Sequence, residues 1–305
     1  MTVPTNPHTP TTGRNQLPER LLEQLFDRIG EISSLPHLAV QIVGLVNDSK
    51  TEADDLVELV RCDPSLVMRL MRTVNSSYYA LRDKVGDLKQ AVTLLGFEEI
   101  RNLALTAHVA PLFCEAAGHG QYTRQGLWNH MIATGMVAQL IAEVCGNLSR
   151  QEAYLAGLLH DVGLILIDQY LHQRFCQILD ELTEETPLCE VEARILGFDH
   201  AALGGHMVGK WSLPKSLGAA TAHHHASDLY DGPFRQLVST VTLADCLTQR
   251  RGLMPLGAGR EPALPARLVD RIGLTREGVV SVVERLDDVL AEANVMADAQ
   301  LSHAL

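Results

Sequence analysis

Apolar residues recur at helical spacing along most of the chain. Leu21, Leu22, Leu25, Phe26 and Ile29 fall on one face of a helix. Thr51-Glu-Ala-Asp54 reads as a capping box ahead of Leu56, Val57, Leu59 and Val60, and Asp63-Pro64 supplies an N-cap followed by proline at the first helical position. Ser149-Arg-Gln-Glu152 repeats the capping box before Tyr154, Leu155, Leu158 and Leu159, in a helix that runs on to His160 and Asp161. Near the end, Val279, Val280, Val282, Val283, Leu286, Val289 and Leu290 make a last amphipathic helix. Period-two alternation bounded by turn residues is nearly absent, so the pattern predicts an all-α fold of short helices joined by tight turns.

Breaks in the periodicity divide the chain. Residues 1–16 are rich in Thr and Pro, with little to bury, and read as a disordered tail. A helical lobe follows over 17–110, and APLFCEAAGHGQY interrupts the pattern before a second helical stretch, giving a histidine-bearing core over 111–251. Residues 252–305 are a Gly-, Pro- and Ala-rich linker and the last helix.

The net charge of −12 argues against a broad electrostatic grip on nucleic acid, which depends on Lys and Arg displacing counterions from phosphates. Arg61, Arg69, Arg72 and Arg101 read as solvated helix faces, with a surface for an acidic partner as the other reading. No segment approaches a membrane span and the N-terminus lacks the features of a signal peptide, so a cytoplasmic protein without a membrane partner is expected. Six cysteines without a CxxC pair read as free buried thiols.

The candidate chemistry is a series of imidazoles and carboxylates: His130, His160-Asp161, His200, His223-His224-His225 and Asp245. Asp161 shares a stripe with Gly157 and Leu158, Asp245 with Val238 and Val241, and His130 with Thr134 and Val137, so these polar groups point inward. A buried carboxylate is costly unless paired or metal-bound. Any one of these residues alone reads as a core histidine or a capping aspartate; jointly they point to one or two divalent ions, Fe, Mn, Zn or Ni. His206 lies about 240° round a helix from His200 and reads as structural. Trp128 and Trp211 read as packing anchors.

GLWNH (126–130), GLLHDVG (157–163), FDHAALGGHMVGKWSLP (198–214), AHHH (222–225) and LADC (243–246) resemble the HDOD domain of the HD phosphohydrolase superfamily, a relative of the HD-GYP phosphodiesterases. SSLPHLAVQIVGLV (33–46), CDPSLVMRLMRTVNSSYYA (62–80) and QAVTLLGFEEIRNLAL (90–105) resemble the helical segments that precede the HD core there. The resemblance, over roughly residues 17–250, implies a two-lobed helical fold acting in bacterial signalling. It implies His130, His160, Asp161 and Asp245 as ligands of one metal. It implies His200, His224 and His225 at a second position bridged by Asp161, the residue that would be catalytic in a hydrolase.

Three positions depart from the phosphodiesterase pattern. Asp231-Gly-Pro-Phe234 stands near where DGxGYP is expected, Leu164 replaces the lysine after HD-x-G, and Gly126 stands where some trinuclear members carry Glu. The expected function is therefore a regulatory module with a metal-binding site and a signalling protein as partner. The alternative is a metal-dependent phosphohydrolase acting on a nucleotide or other phosphorylated small molecule. An oxygen-dependent di-iron enzyme is a third reading.

Overall fold

The computed structural model describes residues 26–27, 29, 37–48, 50–75, 81, 83–114, 118–183, 185–257 and 267–301. The tail over 1–16 and the apolar positions Leu21, Leu22 and Leu25 lie outside them, as does most of the Gly- and Pro-rich linker. In chain order the helices are α1 (His37–Asn47), α2 (Ala53–Arg61), α3 (Pro64–Val74), α4 (Leu88–Leu95) and α5 (Phe97–Val109). A 3-10 turn and a ribbon of β1 (Gly118–His119) with β2 (Tyr122–Thr123) lead into α6 (Arg124–Cys145), α7 (Arg150–Leu159), α8 (Val162–Tyr170), α9 (His172–Glu181) and α10 (Leu188–Leu196). The chain closes with α11 (His200–Lys210), α12 (Lys215–His223), α13 (Arg235–Arg250), α14 (Leu268–Ile272) and α15 (Arg276–Leu301). The fold is all-α, with one antiparallel ribbon of two-residue strands where the sequence broke its period.

The 22-residue α6 is the axis of the larger layer. Thr123 caps its start by accepting from the Gly126 N–H, and Gly146, in the left-handed region at φ 66°, ends it. The helix is buried on nearly every side because α7, α13 and α15 pack around it. Gly135 and Gly157 make the α6–α7 contact close: a Cβ on Gly157 would lie 2.7 Å from the Thr134 carbonyl oxygen. The α1–α5 segment has its own cluster of Ile42, Leu56, Val60, Leu66, Leu70 and Ile100, while Ala39 and Val43 on the other face of α1 join the larger core. On α15, Val282, Leu286 and Leu290 face the body, whereas Val280 and Val283 are exposed.

Several sequence expectations shift. The N-cap of α2 is Glu52 and not Thr51, because the reciprocal pair forms between Glu52 and Asp55, while the Thr51 hydroxyl donates to the Leu45 carbonyl. Ser149 caps α7, but Glu152 turns away to accept from the Ser216 hydroxyl, so only half of that box forms. Helix α7 stops at Leu159, which leaves His160 and Asp161 at the junction with α8. Only Cys246 of the six free thiols is buried, and Cys62 is exposed. Arg101 is buried, contrary to its reading as a solvated residue, since it lies on the inner side of α5. Trp128 and Trp211 are packed inside, as expected. Among the described residues, no helix is long and apolar enough to cross a membrane.

A buried ionic knot ties the ribbon to the helical body. Asp168 on α8 accepts from Arg124 Nε at 2.6 Å, the Tyr122 hydroxyl at 2.9 Å and His172 Nδ1 at 2.8 Å. Sequence reasoning missed this knot, because an aspartate late in a Leu/Ile-rich helix gives no sign of an arginine 44 residues earlier.

Candidate metal centre

The α7–α8 break determines the centre. Asp161 has non-helical backbone (φ −102°, ψ 13°), so its carboxylate leaves the line of both helices. Gly163, in the first turn of α8, lets the start of α11 press against it: a Cβ there would sit 2.0 Å from the His200 carbonyl oxygen. That contact brings Asp161 and His200 together.

Two groups of donors form around Asp161, one facing each carboxylate oxygen. On the Oδ2 side, His130 Nε2 lies at 3.5 Å and His160 Nε2 at 3.3 Å. Asp245 Oδ1 closes this group, 3.2 Å from His130 Nε2 and 3.7 Å from His160 Nε2. On the Oδ1 side, His200 Nε2 lies at 3.2 Å and His224 Nε2 at 3.4 Å, with His225 Nε2 2.9 Å from His200 Nε2. The sequence-proposed residues His130, His160, Asp161, His200, His224, His225 and Asp245 thus converge, and Asp161 belongs to both groups. Six of the seven are buried; His225 is exposed and forms the solvent edge.

The ring orientations are fixed from behind. His130 Nδ1 donates to the Leu253 carbonyl at 2.7 Å, His160 Nδ1 to Gly157 at 2.6 Å, and His224 Nδ1 to Thr221 at 2.8 Å. His200 Nδ1 donates to Glu192 Oε2 at 2.7 Å, and the same oxygen accepts the His200 backbone N–H. In each neutral ring this places the lone pair on Nε2, toward the centre. Asp245 Oδ1 accepts from Gln249 Nε2 at 2.7 Å, and Thr242 ties the His224 carbonyl to α13.

These donors fit a divalent metal. Ligands about 2.0–2.1 Å from one tetrahedral ion stand about 3.4 Å apart, close to the spacings on both sides of Asp161. Unprotonated Nε2 lone pairs facing each other, as in His130 and His160 at 3.3 Å, repel unless a cation or proton lies between them. Asp161 Oδ1 and His224 Nε2 are buried without a hydrogen-bond partner. Electrostatics also favours positive charge here. Burial alone would raise Asp161 and Asp245, but the imidazoles hold both well below the usual carboxylate range. Burial disfavours charge on His160, yet the two carboxylates outweigh it and push the ring up to about 10. His224 is held low by burial, in the neutral form that a ligand needs.

Glu192 was not singled out from the sequence. It is buried on α10, four residues before Leu196 on the same apolar face, and that position was the available signal. Cys189 is near it and His200, but burial pushes its thiol up to about 12 and His200 Nδ1 is already committed to Glu192. His223 points elsewhere and stacks on Tyr230 with ring centroids 4.7 Å apart. His206 is apart from the centre, beside Phe26 and Asp27. Leu164 is buried in the main core, and Gly126 is in the first turn of α6, one turn before His130. Asp231 and Pro233 are exposed in the turn ahead of α13.

The comparisons with known proteins agree with this architecture. The HDOD domain pattern matches residues 32–227, which leaves Asp245 and the whole of α13 beyond the matched span. A crystal structure of an HDOD domain protein of unknown function from Geobacter sulfurreducens is 26% identical, with a TM-score of 0.71, covering 92% of this chain and 99% of that one. A protein from Marinobacter aquaeolei VT8, provisionally named a signal transduction protein, is 25% identical with a TM-score of 0.73, covering 93% of this chain and 65% of that one. An uncharacterized protein of Treponema pallidum is 24% identical over 228 residues, and the match spans 74% of this chain but only 44% of that curated relative. With the family pattern over well more than half its length and its helices in the same arrangement, the chain belongs to the HDOD family.

Proposed function

We propose that the chain is a metal-binding regulatory module in bacterial signalling, with divalent ions held on either side of Asp161 and output through a protein partner. The observation that carries the metal reading is the Asp161 carboxylate, whose two oxygens face separate groups of imidazoles, each 3.2–3.5 Å away. His130, His160, Asp161 and Asp245 would hold the first ion, and Asp161, His200, His224 and His225 the second. Fe, Mn, Zn and Ni all accept such a mixed imidazole and carboxylate set. The regulatory reading is supported by the family and by the site's own charge. Among the described residues, the carboxylates of Asp161 and Asp245 form ion pairs only with imidazoles. The side chain at position 164, where a lysine would clamp a phosphate, is a leucine inside the core.

The second reading, a metal-dependent phosphohydrolase, is favoured by one feature: the exposed His225 edge gives the second position a route to solvent. Bound divalent ions would supply Lewis acidity and a lowered pKa for water. The chain itself would contribute Asp161, spanning both positions, and the Glu192–His200 pair, which holds one imidazole in register. Assaying the metal-loaded chain against mononucleotides, cyclic nucleotides, cyclic dinucleotides and alarmones separates the two readings. No turnover upholds the regulatory reading; turnover proportional to bound metal and abolished by Asp161→Ala would replace it with the hydrolase.

A further inference from the structure

A cavity of about 610 Å³ includes none of the seven residues of the metal centre. It lies where α3, α4 and α5 meet α6, α7 and α15. Its volume is that of a small-molecule site. Leu103, Leu140 and Met296 give it an apolar wall, and Arg69 and Arg72 of α3 stand on its lining.

The charges in this cavity are unevenly matched. Arg150 and Arg285 share the Glu143 carboxylate, each at 2.9 Å. Arg69 has no hydrogen bond or ion pair among the described residues. Burial lowers its pKa, and the neighbouring Arg72 lowers it further against the opposing pull of Asp63. Glu99 and Glu292 also stand on the lining, and burial raises the Glu99 carboxyl. Asn102, only 3% exposed, donates through Nδ2 to the Gln151 carbonyl at 3.2 Å, while its Oδ1 accepts nothing. A partly desolvated cation and a buried acceptor beside an apolar wall match a ligand that combines an acidic head, an apolar body and an N–H or O–H donor.

We propose that this cavity binds a small organic anion, with a carboxylate or phosphate head held by Arg69 and Arg72 and an apolar body against Leu103, Leu140 and Met296. The site is independent of metal occupancy, although α6 carries both His130 and the cavity residue Met136, about 9 Å apart along the helix axis. The tests use the full chain and two fluorescent probes, the anion 8-anilinonaphthalene-1-sulfonate and its uncharged relative N-phenyl-1-naphthylamine. The anionic probe should bind saturably at one site per chain. Arg69→Gln/Arg72→Gln should weaken it roughly tenfold or more and leave the neutral probe unchanged, as expected on losing charge-assisted contacts. Met296→Trp, which fills the wall from a half-buried position, should weaken both probes. Displacement by octyl phosphate or by octanoate then identifies the head group. Anionic-probe binding that is unchanged in either variant, or displaced by neither competitor, overturns the proposal.

Discussion

At the scale of single residues, Glu192 and Asp161 do different work. Asp161 faces both donor groups, whereas Glu192 touches only the back of His200 and fixes which nitrogen faces inward. Replacing Glu192 with Ala removes the acceptor and frees the ring. Losing such an outer partner typically costs about 10–100-fold in metal affinity. In a competition titration the ion on the His200 side should therefore weaken by that factor while the other is retained; two unchanged affinities would remove Glu192 from the account. The inward-facing histidines and aspartates were legible because their positions on apolar stripes are local facts of the sequence. Glu192 was less so, since Glu190 and Arg194 beside it make α10 resemble a solvated face and its partner is on another helix.

At the scale of elements, the break between α7 and α8 and the close seat of α11 on Gly163 shape the centre. Gly163→Ala places a methyl group against the His200 backbone, and overpacking of this kind costs about 1–3 kcal/mol. A lowered urea midpoint with loss of the His200-side ion is the expected result; a native midpoint would mean that α11 moves freely over α8. The Asp168 knot gives a prediction remote from the metal. Asp168→Asn leaves buried Arg124 without its carboxylate, and breaking a buried pair from one side costs about 3–5 kcal/mol. Denaturant unfolding should show that loss with metal content unchanged. Helix identity was readable from apolar spacing, but the end of α7 was not. Apolar periodicity continues from Leu158 through Ile165, so nothing local marks the change of axis at His160 and Asp161. The cap of α2 was misplaced by one residue because Thr51 and Glu52 are both followed by an acidic residue at the required spacing.

At the scale of the whole molecule, the centre joins segments from α6, the α7–α8 junction, α11, the turn after α12, and α13. A ligand that binds only when these are assembled stabilises the assembled state, by about 2.7 kcal/mol at a hundred times its dissociation constant. For a chain of this size that corresponds to roughly 4 °C in melting temperature. Chelator treatment of the metal-loaded protein should produce such a fall, and Asp161→Ala, which removes the carboxylate shared by both positions, should melt at one temperature with or without chelator. All-α class and family membership were legible in the ordered motifs. The two-sided arrangement around Asp161 came to the sequence reading only through family resemblance, because spacing along a chain does not say which oxygen faces which imidazole. The cavity was invisible in the sequence: its walls come from six helices, and Arg69 and Arg72 resemble any solvated pair.

The most direct test of the central claim is the metal content of untagged protein purified without chelator, measured by plasma mass spectrometry beside Asp161→Ala. The account predicts close to two Fe, Mn, Zn or Ni ions per wild-type chain and a large loss in the variant, because one carboxylate serves both positions. A wild-type chain with no bound metal, or a variant that keeps its full complement, would contradict it.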